Sequence, residues 1–480
     1  MEFIHVSLSR KKPTQTQIIK AMGIFSGNTK QMLELQAQVA TLQRQNYITA
    51  TTNMVQNSIA LYPDVSKFEN PAKYSSLDDL YSIIRLLATT AALIPFYTYE
   101  IKDDKAVKKI RQLQVKSDLR IRKSYETKGL EDLPDADPLN MLLDNPNSYQ
   151  SKFEFFEALY TFLFVQGECF VYKSKIEFGV NAGKVGDLHL MFPQHVILRL
   201  SNTYPHQLLG YDYIIDGVKI MQGIPAEDVI HMKYFNPNYT ISGSELRGLS
   251  PLVVLRKRLT RMEANLDNSV SQMQNGGVPG IVYEKGETAP ETAGNRKDNF
   301  YRYLQNKANK GAPFFASGEL DYIKLGLSLA DLDAAKLEEI DFKKLCNAFG
   351  VSDILFNNDK AATESNVNLK QKTLYTNTIL PNVYRVRDAF NMHIVPLYTD
   401  KKRFINCDIS EIPELQENYK DLVSWLAQAW WVTPNEKRDM LNFDKIDDPL
   451  FNEPLIPSGI KLLSDLTAID PLPIPNASGL

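Results

Sequence analysis

The stretch that decides the fold is "NGGVPGIVYEKG", Asn275–Gly286. A long helical pattern stops at two glycines, a Val-Pro-Gly turn follows, and an apolar strand begins at once. Gly276 and Gly277 can take the left-handed conformation that ends a helix, and Pro279 blocks its continuation. Upstream, "RGLSPLVVLRKRLTRMEANLDNSVSQMQ" opens with Ser250 as N-cap and Pro251 in the first turn. Leu252, Leu255, Leu259, Met262, Leu266, Val270 and Met273 then step by three or four. One narrow apolar stripe therefore follows a helix of about 24 residues, roughly 36 Å long. Arg256, Lys257, Arg258 and Arg261 occupy its other face. Such a stripe suits packing against another helix, of the same chain or an adjacent one, better than sinking into a globular core.

Downstream, the corner opens a small strand–helix–strand unit. "GIVYEKG" is a strand, a helix is expected near Asn295–Asn309, and "APFFASGELDYIKL" is strand-like. A second long helix is expected over about Leu329–Phe349. It starts acidic (Asp331, Asp333, Glu338, Glu339) and ends at Gly350. Residues Val351–Leu369, "VSDILFNNDKAATESNVNL", are polar and read as a loop between helices. A helix resumes at about Lys370, with a bend expected at Pro381, and "RFINCDI" returns to strand. From Glu414 the chain reads as helical, and "VTPNEKRDML" carries a capping box on Thr433 and Glu436.

On the N-terminal side, Gln31–Thr52 reads as a peripheral helix or arm. "YSSLDDLYSIIRLLATTAALIPFYTYEIK" predicts a helix capped by Ser76, with Asp78 and Asp79 at its positive end, then a strand over Phe96–Ile101. Lys102–Lys128 is rich in Lys and Arg and reads as a solvated insertion rather than a phosphate-binding patch. A short helix, an Asn-Pro-Asn turn, a helix from about Lys152 and a strand from Glu168 follow. After them come "DLHLMFPQHVILRL", "GYDYIID", "VKIMQG" and "DVIHMKYF", strands separated by turn residues. The fold class is α+β.

At 480 residues, 44% hydrophobic, the chain is expected to form more than one structural unit. A net charge of −3 excludes a globally basic nucleic-acid binder and leaves room for a local contact surface. Cys169, Cys346 and Cys407 are scattered, which argues against a disulfide framework or a structural zinc site. No apolar run reaches membrane-spanning length, and the first residues lack a secretory signal, so a soluble intracellular protein is expected. "MGIFSG" at Met22 offers a second start.

No chemistry assembles. "GVNAGKV", Gly179–Val185, is one residue short of a phosphate loop, ends in Val185 instead of Ser or Thr, and joins two strands; a hairpin turn explains it. His189 and His195 lack a third metal ligand, Cys169 lacks a base, and no G-x-S-x-G elbow occurs. Neither catalytic residues nor a cofactor or metal are expected.

In this order the stretches "DLYSIIRLLATTAALIPFYTY", "PLNMLLDNPNSYQSKFEFFEALYTFLFVQGECFVYK", "GIPAEDVIHMKYFNP", "RGLSPL", "NGGVPGIV", "FGVSDILF" with "TESN", "TILPNVYRVRDAFN" and "VTPNEKRDML" resemble the HK97-like family of phage portal proteins. The resemblance runs from about Ser75 to Leu441; Ser352 stands where members often have Pro. It implies a multi-domain protomer of a ring, usually of about twelve subunits, at one capsid vertex. Its expected parts are an N-terminal arm (1–70), a wing (71–249), a stem helix (250–275), a clip (276–326), a second stem helix (327–350), a tunnel loop (351–369), a returning wing helix and strand (370–412), and a crown with the C-terminal tail (413–480).

The same resemblance implies site roles. Leu255, Leu259, Met262, Leu266 and Val270 would pack the stem. Arg296, Lys297, Tyr301 and Arg302 of the clip would meet partners. Asn357, Asn358, Lys360, Thr363, Ser365 and Asn366 would line the DNA channel. The implied partners are further copies of the chain, double-stranded DNA held without sequence preference, the terminase large subunit, head–tail connector proteins, and the major capsid protein or scaffold. No membrane is implied. The implied location is the virion's portal vertex, reached from the host cytoplasm during assembly. The alternatives are an enzyme of the packaging machinery, a terminase or nuclease, which would hydrolyse ATP or DNA, and a monomeric interaction module, which would form no ring.

Overall fold

The computed structural model describes residues 48–112, 125–126, 128–177, 181–238, 240, 243–275, 280–284, 320–324, 334–356, 364–409, 412–415, 419–441 and 443–454, with single positions 38, 41, 45, 46, 295, 298 and 302. In chain order the first elements are β1 (Ser58–Leu61), α1 (Ser66–Ser76), α2 (Asp78–Ala92), β2 (Phe96–Ile101), α3 (Asp104–Gln112), β3 (Leu130–Asp132), α4 (Pro138–Asp144) and α5 (Lys152–Gln166). Next come β4 (Glu168–Lys175), β5 (Val185–Met191), β6 (Val196–Ser201), β7 (Leu208–Ile215), β8 (Val218–Pro225) and β9 (Val229–Lys233). Then follow α6 (Pro251–Asn275), β10 (Gly280–Glu284), β11 (Leu320–Lys324), α7 (Ala334–Phe349), α8 (Glu364–Leu374), α9 (Leu380–His393), β12 (Arg403–Cys407), α10 (Tyr419–Gln428) and α11 (Pro434–Met440).

The chain divides into two compact units, Met1–Ser76 with Thr161–Val254, and Leu77–Tyr160 with Leu255–Leu480. That division cuts across the body expected over 71–249. The physical reason is strand pairing: β2 lies against β12, with Phe96 opposite Cys407 and Glu100 opposite Arg403, so its segment belongs with the C-terminal part.

The first unit is built from two antiparallel sheets, β1-β6-β7-β8 and β5-β4-β9. β6 alternates as a half-buried strand should: Val196, Leu198 and Leu200 enter a core with Phe170, Tyr211, Ile224 and Val229. Arg199, between them, instead donates through Nε to the buried Asp212 carboxylate at 2.7 Å. Asp212 also accepts from the Gly223 amide at 2.8 Å, which ties β7 to β8. Asn181–Lys184 make the turn that joins β4 to β5, so the stretch resembling a phosphate loop opens no helix.

The second unit packs helices on the sheet β12-β2-β3. α2 buries Leu80, Ile83, Ile84, Leu87 and Ala91 on one side. Phe96, Phe156 and Phe390 meet with ring centroids 5.2–6.2 Å apart. Asp137 caps α4 by accepting from the Leu139 amide at 3.0 Å, and its carboxylate also pairs with Arg403 of β12 at 2.8 Å. β10 and β11 pair antiparallel, Gly280 opposite Lys324 and Glu284 opposite Leu320.

Three local expectations are corrected here. Ser76 does not cap α2; it closes the preceding helix α1 and its hydroxyl donates to the Lys73 carbonyl at 3.3 Å. The Asp79 amide instead donates to the Asp78 carboxylate at 3.0 Å. The basic insertion is not wholly solvated: α3 lays Val107 and Ile110 against Leu130 and Phe404 while its lysines point away. The loop expected through Leu369 ends sooner, because α8 begins at Glu364.

Just before Pro381, where the sequence predicts a bend, the structure has a widened helical turn. Residues Tyr375–Ile379 form a π-helical turn, and the Leu380 amide reaches back five residues to the Tyr375 carbonyl. Proline has no N–H and its ring crowds the carbonyl four residues back; a widened turn accommodates both.

Candidate functional site

The corner at Asn275 separates two long helices whose side chains lock together. α6 starts as the sequence dictates: the Ser250 hydroxyl accepts from the Leu252 amide at 3.1 Å, and Pro251 occupies the first turn. The apolar stripe then divides. Leu252, Leu255, Leu259 and Met262 are buried, Leu259 completely, whereas Leu266 is 42% and Val270 51% exposed. Of the expected packing residues, Leu255, Leu259 and Met262 are thus covered by their own chain, and Leu266 and Val270 continue the same stripe into solvent.

α7 is held beside α6 by charge. Asp341 is fully buried, and Arg258 and Arg261 of α6 both donate to its carboxylate, Arg261 Nε at 3.0 Å. These two arginines, expected on the face opposite the apolar stripe, are the clamp between the helices. Sequence reading missed Asp341 because a lone acidic residue in a polar segment carries no partner signal. α7 ends on Leu345, Cys346 and Phe349, all buried, and on Gly350 at φ +70°. A Cβ there would lie 2.6 Å from the Thr378 hydroxyl, which donates to the Gly350 carbonyl at 2.8 Å.

In the first unit, the segment leading into α6 rests on a buried charged cluster. Glu168 is fully buried. Arg247 Nη2 stands 2.8 Å and Lys67 Nζ 3.3 Å from its carboxylate, and the Gly248 amide donates to it at 2.8 Å. His231 Nε2 lies 3.2 Å away. Lys67 also donates to the Gly248 carbonyl at 2.9 Å and to the Gln166 carbonyl. Burial opposes ionisation of Glu168, yet Arg247, Lys67 and His231 hold it well below the usual carboxylate range. Burial lowers His231 despite the contact with Glu168. Gly167, at φ +70°, lets the α5–β4 turn press against this segment: a Cβ would lie 2.1 Å from the Leu249 carbonyl.

Burial raises the Cys169 thiol and raises Cys346 to about 12, so both thiols are held protonated. Among the described residues no group of three or more His, Cys, Asp or Glu is placed to hold a metal. No described helix is long and apolar enough to cross a membrane.

Of the expected clip residues, Arg302 is helical and exposed, as are Asn295 and Asp298; Arg296, Lys297 and Tyr301 lie outside the described residues. Of the expected channel residues, Ser365 and Asn366 fall in the first turn of α8, with Asn366 exposed; Asn357, Asn358, Lys360 and Thr363 lie outside the described residues.

The fold is shared with subunits of particle necks. The neck of an empty gene transfer agent (GTA) particle, computed with C6 symmetry, matches with TM-score 0.55 at 21% identity, over 81% of this chain and 96% of that one. The neck of the native GTA particle, computed with C12 symmetry, matches with TM-score 0.54 at 20% identity, over 83% and 100%. The chain belongs to the phage portal protein family, whose sequence model matches residues 78–442. An uncharacterized protein of Rickettsia bellii (strain RML369-C) is 23% identical over 323 residues, 65% of this chain and 79% of the relative.

Proposed function

We propose that this chain is the portal subunit of a tailed, double-stranded DNA phage or a phage-derived particle, and that it closes into a ring through which DNA enters and leaves. The observation that carries the reading is the divided stripe of α6. A helix that buries Leu255 and Leu259 in its own chain and then presents Leu266 and Val270 to solvent is incomplete alone. A neighbouring copy completes it. The symmetric necks of the GTA particles, similar in fold, support a ring at a capsid vertex.

In this reading α6 and α7 are the stem, and the β10–β11 hairpin with the intervening segment is the clip that meets the terminase large subunit and, later, the head–tail connectors. The polar segment between Leu355 and α8 faces the DNA. Its single base, Lys360, is offset by Asp359 and Glu364. A channel in which DNA slides should avoid tight phosphate contact, because each neutralised phosphate adds affinity.

The test is deletion of Asp359–Thr363, which spares α8. Purified rings should keep their mass, while particles carrying the variant should hold less nuclease-protected DNA. Wild-type amounts of full-length protected DNA would remove the channel role. Charge reversal at Arg296 and Arg302 should likewise leave the ring intact and weaken terminase binding; unchanged affinity would move docking elsewhere.

A further inference from the structure

α2, α6 and α7 border a small cleft lined by Asp78, Asp79, Met262, Leu266, Glu338 and Asp341. Arg258 and Arg261 are committed to Asp341. No ion pair among the described residues involves Asp78, Asp79 or Glu338. Three carboxylates therefore line a cleft together with the exposed Leu266. Burial, then Asp78, then Glu338 raise Asp79 to about 6.

We propose that this cleft receives the exposed Lys257 of α6 from an adjacent copy of the chain. The inference rests on the ring reading and names its contact. At about 100° per residue, Lys257 lies on the side of α6 roughly opposite Met262 and Leu266. It is exposed. Acceptor and donor thus sit on opposite sides of one helix, the arrangement that makes a head-to-tail, ring-closing contact rather than a two-fold dimer. A lysine suits the cleft twice over: its head meets the carboxylates, and its apolar stem covers Leu266. Lys257 lies about 8–14 Å along the axis from Met262 and Leu266, so adjacent stems must be offset or tilted by that amount.

The contact carries a pH dependence. The charged and titratable groups around Asp79 are Asp78 from α2, Glu338, Asp341 and Cys346 from α7, and Arg258 and Arg261 from α6. A cation from the neighbour favours the ionised cleft, so association releases protons. It strengthens as pH rises through about 6 and weakens below it.

The experiment is sedimentation velocity of the full chain in low salt over a concentration series. It compares the wild type with Lys257→Glu, Glu338→Lys and the combined variant, each checked for folding by circular dichroism. Lys257 and Glu338 are exposed, so both variants should fold. Each single variant should raise the concentration needed for assembly by about tenfold or more, and the combined variant should recover most of that loss. Wild-type assembly should weaken between pH 8 and 5.5, and Asp79→Asn should flatten that change. Wild-type assembly by both single variants, or no recovery in the combined one, overturns the contact. Disruption by Glu338→Lys with a silent Lys257→Glu overturns the named occupant in favour of another basic group. Absence of any ring from the wild type at pH 8 is the separate failure of the portal reading.

Discussion

Glu168 shows what a single buried side chain does for this fold. It holds together a lysine, an arginine, a histidine and a backbone amide from segments far apart in sequence. Glu168→Ala leaves Lys67 and Arg247 buried without their anion and should cost about 3–5 kcal/mol, read by chemical denaturation. The pH sign follows from the depressed carboxyl. Its stabilisation is complete above the unfolded value of about 4.3 and fades as pH falls toward the lower folded value. His231, lowered by burial, adds a loss that begins nearer pH 6.5. Glu168→Gln should therefore flatten the melting temperature below about pH 4 relative to wild type. An unchanged acid limb would mean that the carboxylate is not held ionised. At the helix pair, Asp341→Asn weakens two charge-assisted bonds to partly exposed arginines and should cost about 2 kcal/mol; no measurable loss would mean that Arg258 and Arg261 are clamps only in name.

At the scale of elements, Gly350 ends α7 where only glycine is comfortable. Gly350→Ala places a Cβ against Thr378 at positive φ and should cost at least about 1–2 kcal/mol; a neutral effect on unfolding would show that the turn yields. The elements that sequence made legible are those whose signals are local. Pro251 with Ser250, the Thr433 capping box and the Phe96–Ile101 strand all stand where periodicity and capping chemistry place them. The illegible parts depend on distant partners. α3 looks like a basic insertion until Phe404, some three hundred residues on, gives Val107 and Ile110 a surface. Asp341 looks like any acidic helix residue until two arginines from α6 close on it. Ser76 looks like a cap because nothing in its own stretch announces that α1 already ends there. The division of the α6 stripe was equally invisible: all its residues have the same spacing, and only burial separates Leu259 from Leu266.

For the whole molecule, that division makes two substitutions with the same chemistry diverge. Leu259→Asp puts a charge into the chain's own core and should prevent folding. Leu266→Asp combined with Val270→Asp alters only exposed positions, so the chain should fold and melt near the wild type yet fail to assemble. Membership of the portal family fixes the kind of protein; the ring is the central claim about how it works. The most direct measurement is negative-stain electron microscopy of the purified full-length chain, with its mass measured in parallel. Closed rings with a central channel and a single discrete mass of many chains are expected, lost in the Leu266→Asp, Val270→Asp variant. A stable, well-folded monomer across the same concentrations and at pH 8 would contradict the ring.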